Sequence, residues 1–338
     1  MTFRGGGRPA YTGDRCDHVN RTHAPDPLDP GVFFMRIVRP IIIAVCAMLA
    51  ASVSARAAGI TVTDQAGRTV TVPAHPSRII SLAPNITEIL FAVGAGGSIV
   101  GVSEFSDYPP EAATLPQVGS YIKPNLEAII ALSPDLVLAT ADGEKRAEIN
   151  RLASLGIPVY IINPKTIAGV IATVREIGDL TGHTSEAEET AREMERAVAR
   201  VRERIGGLPQ VRALLVLNTN PLITVNGNTF QDEMIRTAGG LNIAAEESIR
   251  YPTLTYEQVI VRSPGVIIMT TMSPGDDYRA LTGEWSRFAT VPAVKNGRVF
   301  VVDSDIVDRP SPRMVRGLEE LARLFHPEAY RKTPGGAR

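Results

Sequence analysis

Apolar and polar residues alternate along this chain with two periods, and the periods take turns. The longest run with a helical period is Ser185 to Ile205. Ala187, Ala191, Met194, Val198, Val201 and Ile205 fall on one stripe, and Glu188, Glu189, Arg192, Glu193, Arg196, Arg200 and Arg202 on the other face. Ser185 followed by Glu188 predicts a capping box, and Gly206, Gly207 and Pro209 end the helix. It is too short and Ala-rich for a coiled coil, so it packs on its own protein.

Before it, residues 60–72 alternate around Asp64-Gln65-Ala66-Gly67, which predicts a β-hairpin. Short apolar strands follow at 78–82, 99–102, 136–139 and 159–162. Helices separate them at 85–93, 125–132, 144–155 and 166–180, the first with Asn85 as cap and Glu88 at its third position. Residues 103–117 read as a polar loop. After the long helix the alternation returns: strands at 213–217, 265–270 and 299–302, and helices at 230–238, 255–261, around Trp285 and at 312–325.

The two blocks resemble each other. Asn125 to Thr140 reads NLEAIIALSPDLVLAT, and Thr255 to Thr270 reads TYEQVIVRSPGVIIMT. Glu88-Ile89-Leu90 leading to Gly94 matches Glu233-Met234-Ile235 leading to Gly239, and Leu155 to Pro158 matches Asn296-Gly297-Arg298. The expected fold is α/β: two similar lobes, residues 59–182 and 208–330, with mostly parallel sheets flanked by helices. One long helix, 183–207, joins them, and a ligand cleft lies between the lobes.

The first residues carry a different message. Met35 to Arg39 is basic, Pro40 to Val53 apolar, and Ser54 to Ala58 small, the plan of a cleaved signal peptide over 35–58. The apolar run is short for a membrane span. Residues 1–34 show no period and read as disordered or as an upstream misreading, with Met35 the true start. Both cysteines, Cys16 and Cys46, precede the cleavage site, so the mature chain has no thiol chemistry, and Val45 argues against a lipid on Cys46. The net charge of −1 gives no case for nucleic-acid binding.

Candidate chemistry is sparse. Neither phosphate-loop spacing nor a nucleophile elbow is present, which argues against an enzyme. His75, His183 and His326 lack metal-ligand spacing, so no metal site is expected. The loop aromatics Phe105, Tyr108, Tyr121 and Tyr251 suit the walls of a cleft for a large flat ligand, against the plainer reading of loop packing. Asp305, Asp308 and Arg309 follow the last strand at the cleft rim. Glu127 and Glu257 occupy first turns of helices, where the helix dipole alone would account for them.

The segments GVSEFSDYPPEA, NLEAIIALSPDLVL, LASLGIPV, TYEQVIVRSP and SDIVDRPSPRM run in the order found in the periplasmic substrate-binding proteins of ABC importers whose lobes are joined by one helix. From Arg78 to about Phe325 the chain resembles that family, and its Ser-Asp-Tyr-Pro-Pro and Ser-Pro-Arg segments resemble the cobalamin-binding branch. The resemblance implies a non-enzymatic, monomeric periplasmic carrier that takes cobalamin or a related corrinoid as cargo, with no cofactor of its own. Phe105, Tyr121 and Tyr251 match aromatic positions of the corrinoid site, and Asp305 and Arg309 match polar ones. Glu127 and Glu257 match two glutamates that dock on the importer's permease. Tyr121 and Tyr251 replace indoles, and Thr140 and Ile223 replace aromatic residues, so the pocket is less ring-rich. The alternative on the same scaffold is haem, with Tyr108, Tyr121 or Tyr251 as axial ligand, or an iron–siderophore; a sensor module without an importer is a further reading.

Overall fold

The computed structural model describes residues 59–141, 146–271 and 282–331. The expected signal peptide and everything before it lie outside the described residues. Strands β1 (Gly59–Thr63) and β2 (Thr69–Pro73) pair antiparallel as the expected hairpin. Asp64 organises its turn: one carboxylate oxygen accepts from the N–H groups of Ala66 and Arg68, and the other accepts from the Arg68 guanidinium at 2.7 Å. Gln65 ties the hairpin to its lobe, accepting from the Asn163 N–H and donating to Thr173 and Glu176.

The first sheet holds β3 (Ile79–Ser81), β4 (Ile99–Val102), β5 (Leu136–Thr140) and β6 (Val159–Ile162), all parallel, in the order β4-β3-β5-β6. Its helices are α1 (Pro84–Ala92), α2 (Leu126–Ala131), α3 (Arg146–Ser154) and α4 (Ile167–Thr181). The long helix α5 runs from Thr184 to Ile205, on the order of 30 Å. Beyond it, β7 (Val211–Val216), β8 (Gly240–Asn242), β9 (Val266–Thr271) and β10 (Val299–Asp303) form a second parallel sheet in the order β8-β7-β9-β10. That is the same winding as the first. Helices α6 (Phe230–Thr237), α7 (Tyr256–Arg262) and α8 (Met314–Phe325) complete the second lobe.

The predicted stripe of α5 is buried residue for residue, from Ala187 to Ile205. It joins the two lobes into one apolar cluster that reaches from Ile79 through Met194 and Val198 to Phe325. Each sheet also has a smaller cluster of its own on the face away from α5, around Val137 and Leu152 in the first lobe and around Met269 and Trp285 in the second. A shared core resists relative motion of the lobes, because rotation would open packed apolar surface.

Several local expectations are corrected. Asn85 does not cap α1: Pro84, whose φ is preset for the first helical position, starts the helix, and Asn85 lies buried inside it. The Ser185–Glu188 capping box is not formed, since α5 begins at Thr184 with His183 at its N-cap, which puts Ser185 inside the helix. Glu188 instead accepts from Arg175 at 2.6 Å and Arg192 at 2.7 Å. A true capping box joins Thr255 and Gln258 at α7. The polar loop after β4 contains a short 3₁₀ turn at Pro110–Thr114, and β8 follows Gly239 where only a helix end was expected.

The Ser-Pro repeat has a structural role. Ser133 and Ser263 both adopt positive φ (46° and 47°), ending α2 and α7. Arg78 then donates to the carbonyls of Leu132 and Ser133, and Arg212 to that of Arg262. Two arginines at the starts of equivalent strands thus satisfy the orphan carbonyls of two equivalent helices.

Candidate ligand-binding cleft

A cleft of about 790 Å³ opens at the carboxyl ends of both parallel sheets, where ligands of open α/β folds bind. Residues singled out from the sequence reach it on four short segments. After β4, residues 103–106 form a tight turn in which Ser103 and Ser106 hydroxyls meet at 3.0 Å and Glu104 N–H donates to the Gly119 carbonyl. This turn holds Phe105 at φ +63°, a conformation a bulky residue seldom adopts, and leaves the residue 68% exposed at the cleft. Next, Gly119–Ser120 pairs with Lys123–Pro124, and the tip carries Tyr121 and Ile122 into the cleft. Gly119 has φ +95°, and a Cβ there would sit 2.8 Å from the Asn125 nitrogen, so this bend requires glycine.

From the second lobe, Tyr251 is presented between Arg250, whose carbonyl accepts from Asn226 N–H, and Pro252, whose carbonyl accepts from Thr224 N–H. The segment after β10 supplies Asp305, Asp308 and Arg309. Phe105, Tyr121, Tyr251, Asp305 and Arg309 therefore converge on one cavity. Tyr108 does not: it is absent from the cleft lining, and the Arg313 guanidinium covers its ring at 3.9 Å. A cation stacked on the ring face takes up the tyrosine that sequence reading put in the wall.

Behind Arg309 is a charge cluster that sequence reasoning missed. Glu88 on α1, with its side chain 2% exposed, receives Arg309 at 3.1 Å, Arg313 at 2.6 Å and the Ser311 hydroxyl, all from the other lobe. Arg309 also pairs with Asp305 at 2.7 Å and Asp107 at 3.4 Å, and Arg313 with Asp305 at 3.2 Å. Burial lowers the basicity of Arg313, but Glu88 and Asp305 outweigh it and leave the guanidinium held above its ordinary range. Burial pushes the Asp305 carboxyl up against the opposing pull of Arg309 and Arg313. The signal for Glu88 was available: it is the one charged residue in the helix PNITEILFA, amid buried Ile86, Ile89 and Leu90. An acid at such a position is paired or it is not tolerated.

Asp308 is half-buried as a residue, yet its Oδ1 is closed off from solvent. Burial pushes its carboxyl up to about 6, with nearby Asp305 and Asp303 adding to the shift and hydrogen bonds from Thr270 and Gln231 opposing it. Glu127 and Glu257 lie outside the cleft, exposed in the first turns of α2 and α7. Hydrogen bonds from its own backbone N–H and from Thr255 hold the Glu257 carboxyl below the usual range. His183 stands at the start of α5. His326 ends α8 and is buried, with Nε2 3.3 Å from the Gly239 carbonyl. Among the described residues there is no cluster of three or more His, Cys, Asp or Glu able to hold a metal, and no helix long and apolar enough to cross a membrane.

A family model for periplasmic binding proteins matches residues 79–306, which takes in both sheets and the segment bearing Asp305. The chain belongs to the periplasmic binding protein family. Within that family it is 33% identical over 249 residues to the vitamin B12-binding protein of Vibrio parahaemolyticus, covering 73% of this chain and 89% of that one. The solved vitamin B12-binding protein BtuF of Vibrio cholerae is 30% identical, with a TM-score of 0.67, over 76% of this chain and 99% of that one. The family scaffold also carries other cargo. The periplasmic haem-binding protein RhuT of Roseiflexus sp. RS-1 is 27% identical, with a TM-score of 0.66, over 75% of this chain and 99% of that one.

Proposed function

We propose that this chain captures cobalamin or a related corrinoid in the interlobe cleft and delivers it to an ABC importer. The observation that carries the reading is the cleft itself: about 790 Å³, walled by Phe105, Tyr121 and Tyr251 from three separate loops. Such a site can cover a large, flat, mostly apolar ring system and still leave polar groups at the rim for side arms. Asp305 and Arg309 face that rim. The curated relatives of similar sequence, which bind vitamin B12 by name, point the same way.

The remaining parts follow from this reading. The protein is exported by cleavage near Ala58 and works in the periplasm as a monomeric binding protein without catalysis. Exposed Glu127 and Glu257, at equivalent positions of α2 and α7, dock on basic sockets of the permease, one from each lobe. The haem reading keeps Tyr121 and Tyr251 as candidate axial ligands in the cleft and loses Tyr108 to Arg313.

Absorption spectra and equilibrium titration of the purified protein with cyanocobalamin and with haemin decide between the two. Tight, saturable cobalamin binding with weak haemin binding is expected. A haemin complex with a tyrosinate-type spectrum and no cobalamin binding would replace the corrinoid reading with the haem one.

A further inference from the structure

Phe105 stands in a conformation that a bulky residue does not hold unaided. Its positive φ costs free energy and persists only where the surroundings fix the backbone on both sides. Its side chain gives little help, because the residue is exposed at the cleft. The first lobe fixes the entry to the turn. Ser103 N–H donates to the Ser81 carbonyl and Glu104 N–H to that of Gly119, and the Ser103 and Ser106 hydroxyls meet in a buried contact. The exit is held from the other lobe. Asp107 pairs with Arg309 at 3.4 Å, and the ring of the next residue, Tyr108, lies under the Arg313 guanidinium with 3.9 Å between centroid and Cζ.

Of these two exit contacts the second is the firmer. The Asp107 side chain is 60% exposed and its pair is long, so solvent weakens it. Arg313 is itself fixed, by Glu88 at 2.6 Å and Asp305 at 3.2 Å. A guanidinium that is largely desolvated and anchored at both ends is a rigid plate for an aromatic face. Tyr108 does not line the cleft, so contact with cargo does not account for it. We propose that Tyr108 is a positioning residue: clamped under Arg313, it holds the exit of the turn and thereby sets where the Phe105 ring stands in the cleft. Phe105 belongs to the first lobe and Arg313 to the second, so one wall of the cleft is set by contact between the lobes. The inference deepens the corrinoid reading, on which its effect on affinity rests, while the placement of Phe105 can be read without cargo.

The first measurement uses the ligand-free protein labelled with 4-fluorophenylalanine. The Phe105 signal is the one missing from the fluorine spectrum of Phe105→Leu. Tyr108→Leu should broaden or split that signal, because the turn loses its outer hold. Tyr108→Phe keeps a ring face for Arg313 and should leave it sharp. The second measurement is a double-mutant cycle on cyanocobalamin affinity. Tyr108→Leu should weaken binding by about fivefold with Phe105 present, the scale of a lost cation–π contact. With Phe105 already replaced by Ala the same change should cost less than about twofold, since a residue acting through Phe105 has nothing left to place. A Phe105 signal equally sharp in Tyr108→Leu overturns the assignment. So does an effect on affinity that is the same with and without the Phe105 ring, which is what a merely structural tyrosine would give. Should Tyr108→Leu fail to fold, Arg313→Lys takes its place in both measurements, with the same expected and overturning results; it keeps a charge for Glu88 and gives up the planar stack. If the wild-type protein binds no cyanocobalamin, the corrinoid reading falls, and the fluorine spectra alone decide the role of Tyr108.

Discussion

The connection from β6 to α4 and the connection from β10 to α8 occupy equivalent places in the two lobes, and they do opposite things. The first, residues 163–166, is short and ends in Thr166, whose hydroxyl accepts from Gly169 N–H and caps α4. The second, residues 304–313, is longer and carries Asp305, Asp308, Arg309, Ser311 and Arg313. Each is gripped by a glutamate from the other lobe. Glu233 on α6 accepts from the Ile167 N–H at 2.7 Å, satisfying one orphan donor of α4. Glu88 on α1 takes two guanidiniums and a hydroxyl from the longer connection. Glu88 and Glu233 are equivalent in the sequence repeat, so the same residue at the same place does a small structural task in one direction. In the other it anchors the charged wall of the cleft. The repeated fold supplies equivalent positions, and the longer connection makes one of them part of the cleft wall.

That comparison can be broken most directly at the glutamates. Removing Glu88 leaves Arg309 and Arg313 with Asp305 as their remaining shared partner, in a site where their side chains are 18% and 12% exposed. Truncating one partner of a buried ion pair costs about 3–5 kcal/mol. Glu88→Ala should lower stability on that scale in denaturant unfolding and weaken ligand binding, since Arg309 is then held in the wall by Asp305 and Asp107 without its buried anchor. Glu233→Ala removes a single hydrogen bond to a backbone N–H and should cost about 1 kcal/mol. Equal losses for the two variants would show that the lobes are held symmetrically after all.

The next effect, about 2–3 kcal/mol, belongs to the longer connection alone. Asp308 has its folded value raised to about 6, above the ordinary aspartate range of the unfolded chain. A carboxyl raised on folding destabilises when ionised, so its penalty is absent near pH 4, grows as pH rises through 6 and is complete above it. Burial is the main cause of the shift; Thr270 on β9 and Gln231 on α6 oppose it, and Asp305 and Asp303 on its own segment add to it. Asp308→Asn should therefore raise the unfolding midpoint at pH 8 and leave it unchanged near pH 4. A constant difference across that range would show that the gain is packing, not ionisation.

The same contrast explains what the sequence could and could not tell. Periodicity located α5 and its six buried residues, because one amphipathic stripe on a shared core leaves one solution. The repeat located both sheets, since NLEAIIALSP and TYEQVIVRSP each mark a helix, a Ser-Pro break and a strand. Loop aromatics signalled the cleft, because exposed rings on tight turns need a reason. What stayed hidden depends on contacts between residues far apart in sequence. Nothing local in Asn85 distinguishes a helix cap from a buried member of the cleft wall, and the lone charge of Glu88 among apolar neighbours signals that it is paired without saying with what. Tyr108 looked like its neighbour Phe105 until Arg313, from the other end of the chain, was seen on its ring.

Where the lobes have stayed alike, the expected effect on the protein itself is smallest. Glu127 and Glu257 are both exposed, both in the first turn of a short helix, and both precede the same Ser-Pro break. Sameness at the surface suits a partner with its own twofold character, while divergence at Glu88 and Glu233 suits an asymmetric ligand. Replacing both Glu127 and Glu257 with Ala should leave the unfolding midpoint nearly unchanged and cyanocobalamin affinity within about threefold, because neither side chain reaches the cleft. Uptake through the permease should fall sharply. Complex formation in permease-containing vesicles should lose most at low ionic strength, where exposed charges are least screened. Each single variant should fall between the wild type and the double variant, and the two should be alike, since the positions are equivalent. If the double variant supports normal cobalamin uptake, the glutamates act only on their own helix dipoles and the likeness of the two surfaces has another cause. If one single variant alone abolishes uptake, the partner contacts the lobes unequally, and the asymmetry found inside the cleft extends to the outside.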